Sequence, residues 1–153
     1  MRHDSYPEAY LAEILHSAKT VAIVGASVDT RRPSHWIAGF LLGKGYRVFP
    51  VNPKYAGQIM LGQPVYAKLA DIPVDMDVVD VFRRADQFAA VVEEILRLPE
   101  LPRAIWGQLG VRDDAAASRA ESAGIRVVMD RALVSEYPLV YELQHASRPR
   151  SAA

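Results

Sequence analysis

The chain contains no cysteine, carries no net charge and has no apolar run long enough to cross a bilayer. Each absence excludes a class of function. Without cysteine there are no disulfides, no thiolate metal sites and no cysteine nucleophile. The same absence fits a reducing cytosol. Eighteen basic and eighteen acidic residues leave no bulk field to favour nucleic acid or an anionic membrane. The opening residues MRHDSYPEAY lack the apolar core of a signal peptide, and a membrane-spanning helix needs about 20 consecutive apolar residues. No spacing of side chains matches a metal site. A soluble cytoplasmic protein with neither nucleic-acid nor membrane partners is therefore expected. What is present, 153 residues of which half are hydrophobic, suits one domain with a proper core.

The chain is organised around Thr20 to Trp36, TVAIVGASVDTRRPSHW. An apolar run, Val21 to Val24, turns at Gly25-Ala26-Ser27, passes Arg31 and Arg32, and enters a helical pattern at Pro33. A buried strand, a small-residue turn and a helix start make a place where backbone N–H groups can face a phosphate. The full G-x-G-x-x-G fingerprint is missing, since Ser27 stands where a second glycine would be, so the motif does not specify a dinucleotide.

Strand and helix patterns alternate along the rest. Ser5-Tyr6-Pro7-Glu8 reads as a capping box before a short helix with Tyr10, Leu11, Ile14 and Leu15 on one face. After Pro33, the residues Trp36, Ile37, Phe40 and Leu41 form an apolar helix face; Trp36 could touch a ligand, but that spacing favours core packing. Further strands are expected at Tyr46–Val51, Met76–Val81, Ala104–Trp106 and Arg126–Met129. The segment Gly57–Tyr66 is an excursion with at most a short strand. Helices are expected around Phe88–Leu96 and after Asp113 or Asp114, either of which can cap. Five strands separated by helices predict a three-layer, Rossmann-like α/β fold: a doubly wound, mainly parallel sheet with helices on both faces. The domain is expected over 1–144, with a disordered tail over 145–153.

Ligands of such sheets bind outside the carboxyl ends of the strands, where the strand order switches. The small and polar residues fall there: Gly25-Ala26-Ser27, Asn52-Pro53-Lys54, Phe82-Arg83-Arg84 and Gln108-Leu109-Gly110. An NAD site wants an acid after the second strand, to hold the ribose hydroxyls. Here Asn52-Pro53-Lys54 offers a cation instead. That favours a nucleotide with an extra ribose phosphate, for which NADP and coenzyme A both qualify. Lys54 fits that phosphate or open solvent equally well.

The ordered segments VAIVGAS, RRPS, GYRVFPVNPKYAG, LGQPVYAKLADIP, VDVFRR, QLGV and GIRVVMDR resemble the CoA-binding domain family, the YccU-like small Rossmann proteins. The resemblance runs from about Lys19 to Arg131. It implies non-covalent binding of coenzyme A or an acyl-CoA. Related domains occur in the α-subunit of succinyl-CoA synthetase and in ADP-forming acyl-CoA synthetases, which makes an acyl-CoA enzyme a candidate partner. Carried over by motif, Gly25, Ala26 and Ser27 would line the pyrophosphate, and Arg32 and Ser34 would contact phosphate. Asn52, Pro53 and Lys54 would lie near the adenosine, and Phe82, Arg83 and Arg84 on the adenine side. Gln108, Gly110 and Val111 would line the pantetheine path. Plainer roles exist for Phe82 as core, Arg84 as a solvated helix start and Gln108 as a loop-backbone partner. Where relatives often read Met-Asp-Arg-Cys, this chain reads Met129-Asp130-Arg131-Ala132, so no mixed disulfide with the coenzyme thiol can form here.

No catalytic constellation stands out. His3, His16 and His145 lie in the terminal regions, and His35 fits a phosphate or helix-end contact. The phosphorylated histidine of the synthetases belongs to a different domain. Asp77 and Asp80 are expected to pair with nearby arginines. The expectation is a non-catalytic coenzyme A-binding protein, with a small NADP-dependent oxidoreductase, or another nucleotide-dependent enzyme, as the alternative.

Overall fold

Thr20–Val24 (β1) is buried at every position, so it needs neighbours on both sides and layers on both faces. In the structure, a computed structural model describing residues 1–133 and 136, it has both. The later strands are β2 (Arg47–Val51), a small antiparallel pair of β3 (Ile59–Met60) and β4 (Gln63–Pro64), then β5 (Val78–Val81), β6 (Ala104–Gly107) and β7 (Arg126–Val128). The five-stranded sheet has the order β2-β1-β5-β6-β7. All its neighbouring strands are parallel. Four α-helices are bounded among the described residues: α1 (Glu8–Ser17), α2 (Pro33–Gly43), α3 (Ala85–Leu96) and α4 (Asp114–Ser122).

Side-chain alternation sorts the core into two layers. Val21, Ile23, Val48, Val78, Trp106 and Val128 pack with Leu11, Ile14 and Leu15 of α1 and Ile37 and Leu41 of α2. Ala22, Val24, Phe49, Val79, Ile105 and Val127 pack on the other face with α3 and α4, through Phe88, Val92, Ile95, Ala117 and Ala120. The chain thus leaves β1 toward one face and β5 toward the other. Those two strands are neighbours, so the switch in strand order lies between them.

The register sets which loops meet. Val24 pairs with both Val51 and Val81, Val81 pairs with Gly107, and Trp106 pairs with Val128. The strands therefore end nearly level, and the segments 25–27, 52–54, 82–84, 108–111 and 129–132 emerge along one edge.

Three local expectations differ from what the chain does. Ser5 does not cap α1: Pro7 holds the cap position and no side chain closes the end. The preceding residues are anchored elsewhere. The Tyr6 hydroxyl accepts from the Met129 N–H at 2.8 Å, and the Tyr10 hydroxyl accepts from the Val127 N–H at 3.0 Å. Strand β5 starts at Val78 rather than Met76, because the Asp77 carboxylate takes the Lys19 and Thr20 N–H groups at 2.7 and 3.2 Å. The segment Gly57–Tyr66 holds two short strands rather than one. The expected tail 145–153 lies outside the described residues, as does the end of the 1–144 domain.

Asp113 is the cap of α4, its Oδ1 accepting from the Ala116 N–H at 3.1 Å. Asp113→Ala is expected to cost about 1 kcal/mol and to lower the melting temperature by about 2–4 °C, read in a thermal melt beside the unaltered chain.

Candidate nucleotide-binding cleft

The loops after β1 and β5 meet at the switch point. Gly25 has φ +87°, and a Cβ built there would sit 2.2 Å from the Phe82 carbonyl oxygen. Only glycine allows both that backbone conformation and that approach. A cleft of about 710 Å³ opens above this contact. A smaller hollow of about 300 Å³ at the opposite edge holds Glu13, Asp77, Arg103 and Arg126. Its charges pair with one another, Arg126 with Glu13 at 3.1 Å and Arg103 with Asp77 at 3.9 Å.

Eleven of the fourteen residues selected from sequence line the larger cleft. Gly25, Ser27, Arg32 and Ser34 come from the β1–α2 turn, and Asn52 and Lys54 follow β2. Phe82, Arg83 and Arg84 follow β5, and Gln108 and Val111 follow β6. Ala26, Pro53 and Gly110 are not among the lining residues. Ala26 is turned inward at 1 % exposure, its carbonyl accepting from Asn52 Nδ2 at 2.8 Å. Pro53 begins a 3-10 turn, and the Gly110 N–H donates to Asp130 Oδ1 at 2.7 Å.

The turn differs in detail from a simple phosphate cradle. The N–H groups of Gly25 and Ala26 both point to the Val51 carbonyl, at 2.9 and 3.3 Å. The Ser27 N–H donates to Ser34 Oγ at 3.0 Å. These amides fix the loop. Among the described residues no partner takes the N–H of Val28 or of Ser34. Ser34 lies in the first turn of α2, where Pro33 adds no donor and the helix dipole favours an anion. Arg31 is occupied by Asp29 through bonds of 3.1 and 3.0 Å, so Arg32 is the arginine of this pair that reaches the cleft.

Among the described residues the cleft lining carries four cations, Arg32, Lys54, Arg83 and Arg84, and no carboxylate. Arg84 also lies 3.4 Å from Asp86, with both side chains well exposed, a pairing worth little in water. The chain as a whole is neutral, so this local excess is a property of the edge that the strand ends build.

A family model for the CoA-binding domain matches residues 19–138. The chain belongs to the CoA-binding domain family. Among relatives, it is 34% identical over 123 residues to the uncharacterized protein YneT of Bacillus subtilis, covering 80% of this chain and 88% of YneT. A solved Thermus thermophilus protein, cell-free ID.343, is 36% identical, with a TM-score of 0.82 over 88% of this chain and 99% of that one. The dinucleotide-forming acetyl-coenzyme A synthetase 1 of Ca. Korarchaeum cryptofilum is 25% identical, with a TM-score of 0.63. That match covers 75% of this chain and 26% of the synthetase.

In this family member the cleft has walls that the sequence reading missed. Trp36 is not core: it is 58% exposed, stacks on Phe40 at 5.8 Å and lines the cleft. The α2 sequence is apolar on two faces, and of its apolar side chains Ile37, Ala38 and Leu41 are the fully buried ones. Tyr55 stands beside Ser27 and Lys54, and the Ser27 hydroxyl, then Lys54, holds its phenol below the usual range. Ala132 also lines the cleft, as does Leu109, which is 70% exposed.

Asp80 overturns another expectation. Among the described residues it pairs with no arginine. It is fully buried in the middle strand, and its Oδ1 accepts from Gln108 Nε2 at 2.6 Å. Gln108 in turn bonds this carboxyl rather than a loop backbone with its side chain. Burial pushes the Asp80 carboxyl up to about 8 despite the opposing bond from Gln108. Asp77 pairs with Arg103 only at 3.9 Å and serves mainly the strand starts.

Proposed function

We propose that this protein binds coenzyme A, free or as an acyl thioester, in the cleft at the β1/β5 switch point and performs no chemistry of its own. In this reading it holds the coenzyme for an acyl-CoA enzyme. The observation that carries the reading is that every charged residue described on the lining around the Gly25 turn, Arg32, Lys54, Arg83 and Arg84, is a cation. Coenzyme A brings a pyrophosphate and a ribose 3′-phosphate, and such a ligand needs several charge-assisted donors. The absence of an acid after β2 disfavours an unphosphorylated ribose. The family supports the ligand class, and the similarity to part of an acetyl-coenzyme A synthetase supports an acyl-CoA enzyme as partner. Apolar Trp36, Phe82, Leu109 and Val111 on the same lining suit the less polar parts of such a ligand.

Calorimetric titration with coenzyme A, 3′-dephospho-coenzyme A and NADP tests this. Coenzyme A should bind most tightly. Lys54→Ala should weaken coenzyme A by about tenfold, one charged hydrogen bond, and leave the dephospho form unchanged. NADP binding with no response to coenzyme A would replace this reading with a small NADP-dependent oxidoreductase.

A further inference from the structure

The alternation of β5 calls for an apolar side chain at position 80. Its ladder neighbours are Ile23 and Trp106, both fully buried. A carboxyl there is costly unless hydrogen-bonded. Asp80 is nonetheless 0% exposed, and its Oδ2 has no partner among the described residues. Its one side-chain bond leads upward, to a residue of the cleft lining.

Gln108 is itself 8% exposed, so few orientations are open to it. With Nε2 held on Asp80, the opposite end of the carboxamide, Oε1, is an acceptor without a partner among the described residues. The backbone around it is also fixed. The Gln108 N–H donates to the Val81 carbonyl, and its carbonyl accepts from the Val111 N–H at 2.8 Å.

We propose that Asp80 is a positioning residue for Gln108, holding its carboxamide so that Oε1 accepts an amide N–H from the pantetheine arm of the bound coenzyme. This rests on the coenzyme A reading above. Asp80 itself does not touch the ligand. It determines which end of the amide the ligand meets, and so selects a ligand with an N–H donor beyond its pyrophosphate. In the neutral acid the same bond forms with the proton on Oδ2, which leaves Oδ1 to accept from Nε2.

The test compares two ligands on five proteins. Coenzyme A carries the arm, and adenosine 3′,5′-bisphosphate does not. Wild type should bind both. Gln108→Leu, Asp80→Ala and Asp80→Val should each weaken coenzyme A by about tenfold, the loss of one well-placed hydrogen bond. Binding of the bisphosphate should not change. Asp80→Asn, whose Oδ1 can still accept from Nε2, should restore coenzyme A binding to the wild-type value. The alanine and valine variants duplicate each other, so one folded protein of the two suffices. Equal weakening of both ligands would reduce Asp80 to a structural role and overturn the proposal. So would unchanged coenzyme A binding in the alanine or valine variant. If folded wild type bound neither ligand, the coenzyme reading would fall and this inference with it. If wild type bound both while the variants matched it, only this inference would fall.

Discussion

Gly25→Ala is expected to abolish coenzyme A binding and to destabilise the protein by about 3 kcal/mol or more, at the upper end for single substitutions. Two independent costs fall on one atom. The backbone sits at φ +87°, where a side chain is strained by about 1–3 kcal/mol. The new methyl would also lie 2.2 Å from the Phe82 oxygen and 2.9 Å from its carbonyl carbon, both backbone atoms with little freedom to retreat. Relief requires the loops after β1 and β5 to part. That movement would pull Arg83 and the Ser27–Ser34 contact out of register together. Gly43→Ala is the control: it has an ordinary φ and nothing within 4 Å of its added Cβ, so its stability should hold or rise slightly. Thermal melts and coenzyme titrations of both variants check this. A Gly25→Ala protein with wild-type melting and binding would refute the role given to the turn.

Asp80→Asn carries the second large effect, on stability against pH. The carboxyl is raised from an ordinary 3.8 to about 8, because burial disfavours its charged form. Between those values the unfolded chain has lost this proton while the folded protein keeps it. The folded state binds more protons, so stability falls as pH rises. The contribution is complete below about pH 4 and is lost on approach to pH 8. The slope from this one group reaches about 1.4 kcal/mol per pH unit. Asparagine has no proton to lose. The difference in unfolding free energy between Asp80→Asn and wild type should therefore grow steadily in favour of the variant from pH 5 to pH 8. Denaturant titrations at four pH values read it directly. Parallel curves would mean that Asp80 is ionised in the folded protein.

Much of this architecture is legible in the residues. Val21 to Val24, apolar on both faces, reads as a central strand, and the right-handed crossover rule leaves few ways to wind the sheet. The edge that carries the candidate cleft was visible because small and polar residues follow each strand end. Other features were not legible. Trp36 lies at core spacing on a helix with two apolar faces, and only the placement of α2 against the sheet decides which one is buried. Ser5 and Glu8 have capping-box spacing, but Tyr6 and Tyr10 are drawn to the backbone of Val127 and Met129, more than a hundred residues away in sequence. Asp80 stands among valines like a surface residue of an edge strand. Its partner is 28 positions on, and only the β5–β6 pairing brings Gln108 over it. Likewise, Gly25 and Ala26 look like phosphate donors until the parallel pairing of β1 with β2 brings the Val51 carbonyl to their N–H groups.

The most direct test of the central claim is a crystal structure of the protein grown with coenzyme A. The nucleotide is expected in the β1/β5 cleft, its pyrophosphate beside the start of α2 and Arg32, and its ribose phosphate within reach of Lys54. Coenzyme A bound at the opposite edge, near Arg103 and Arg126, would contradict it. So would saturating coenzyme A that leaves the cleft empty.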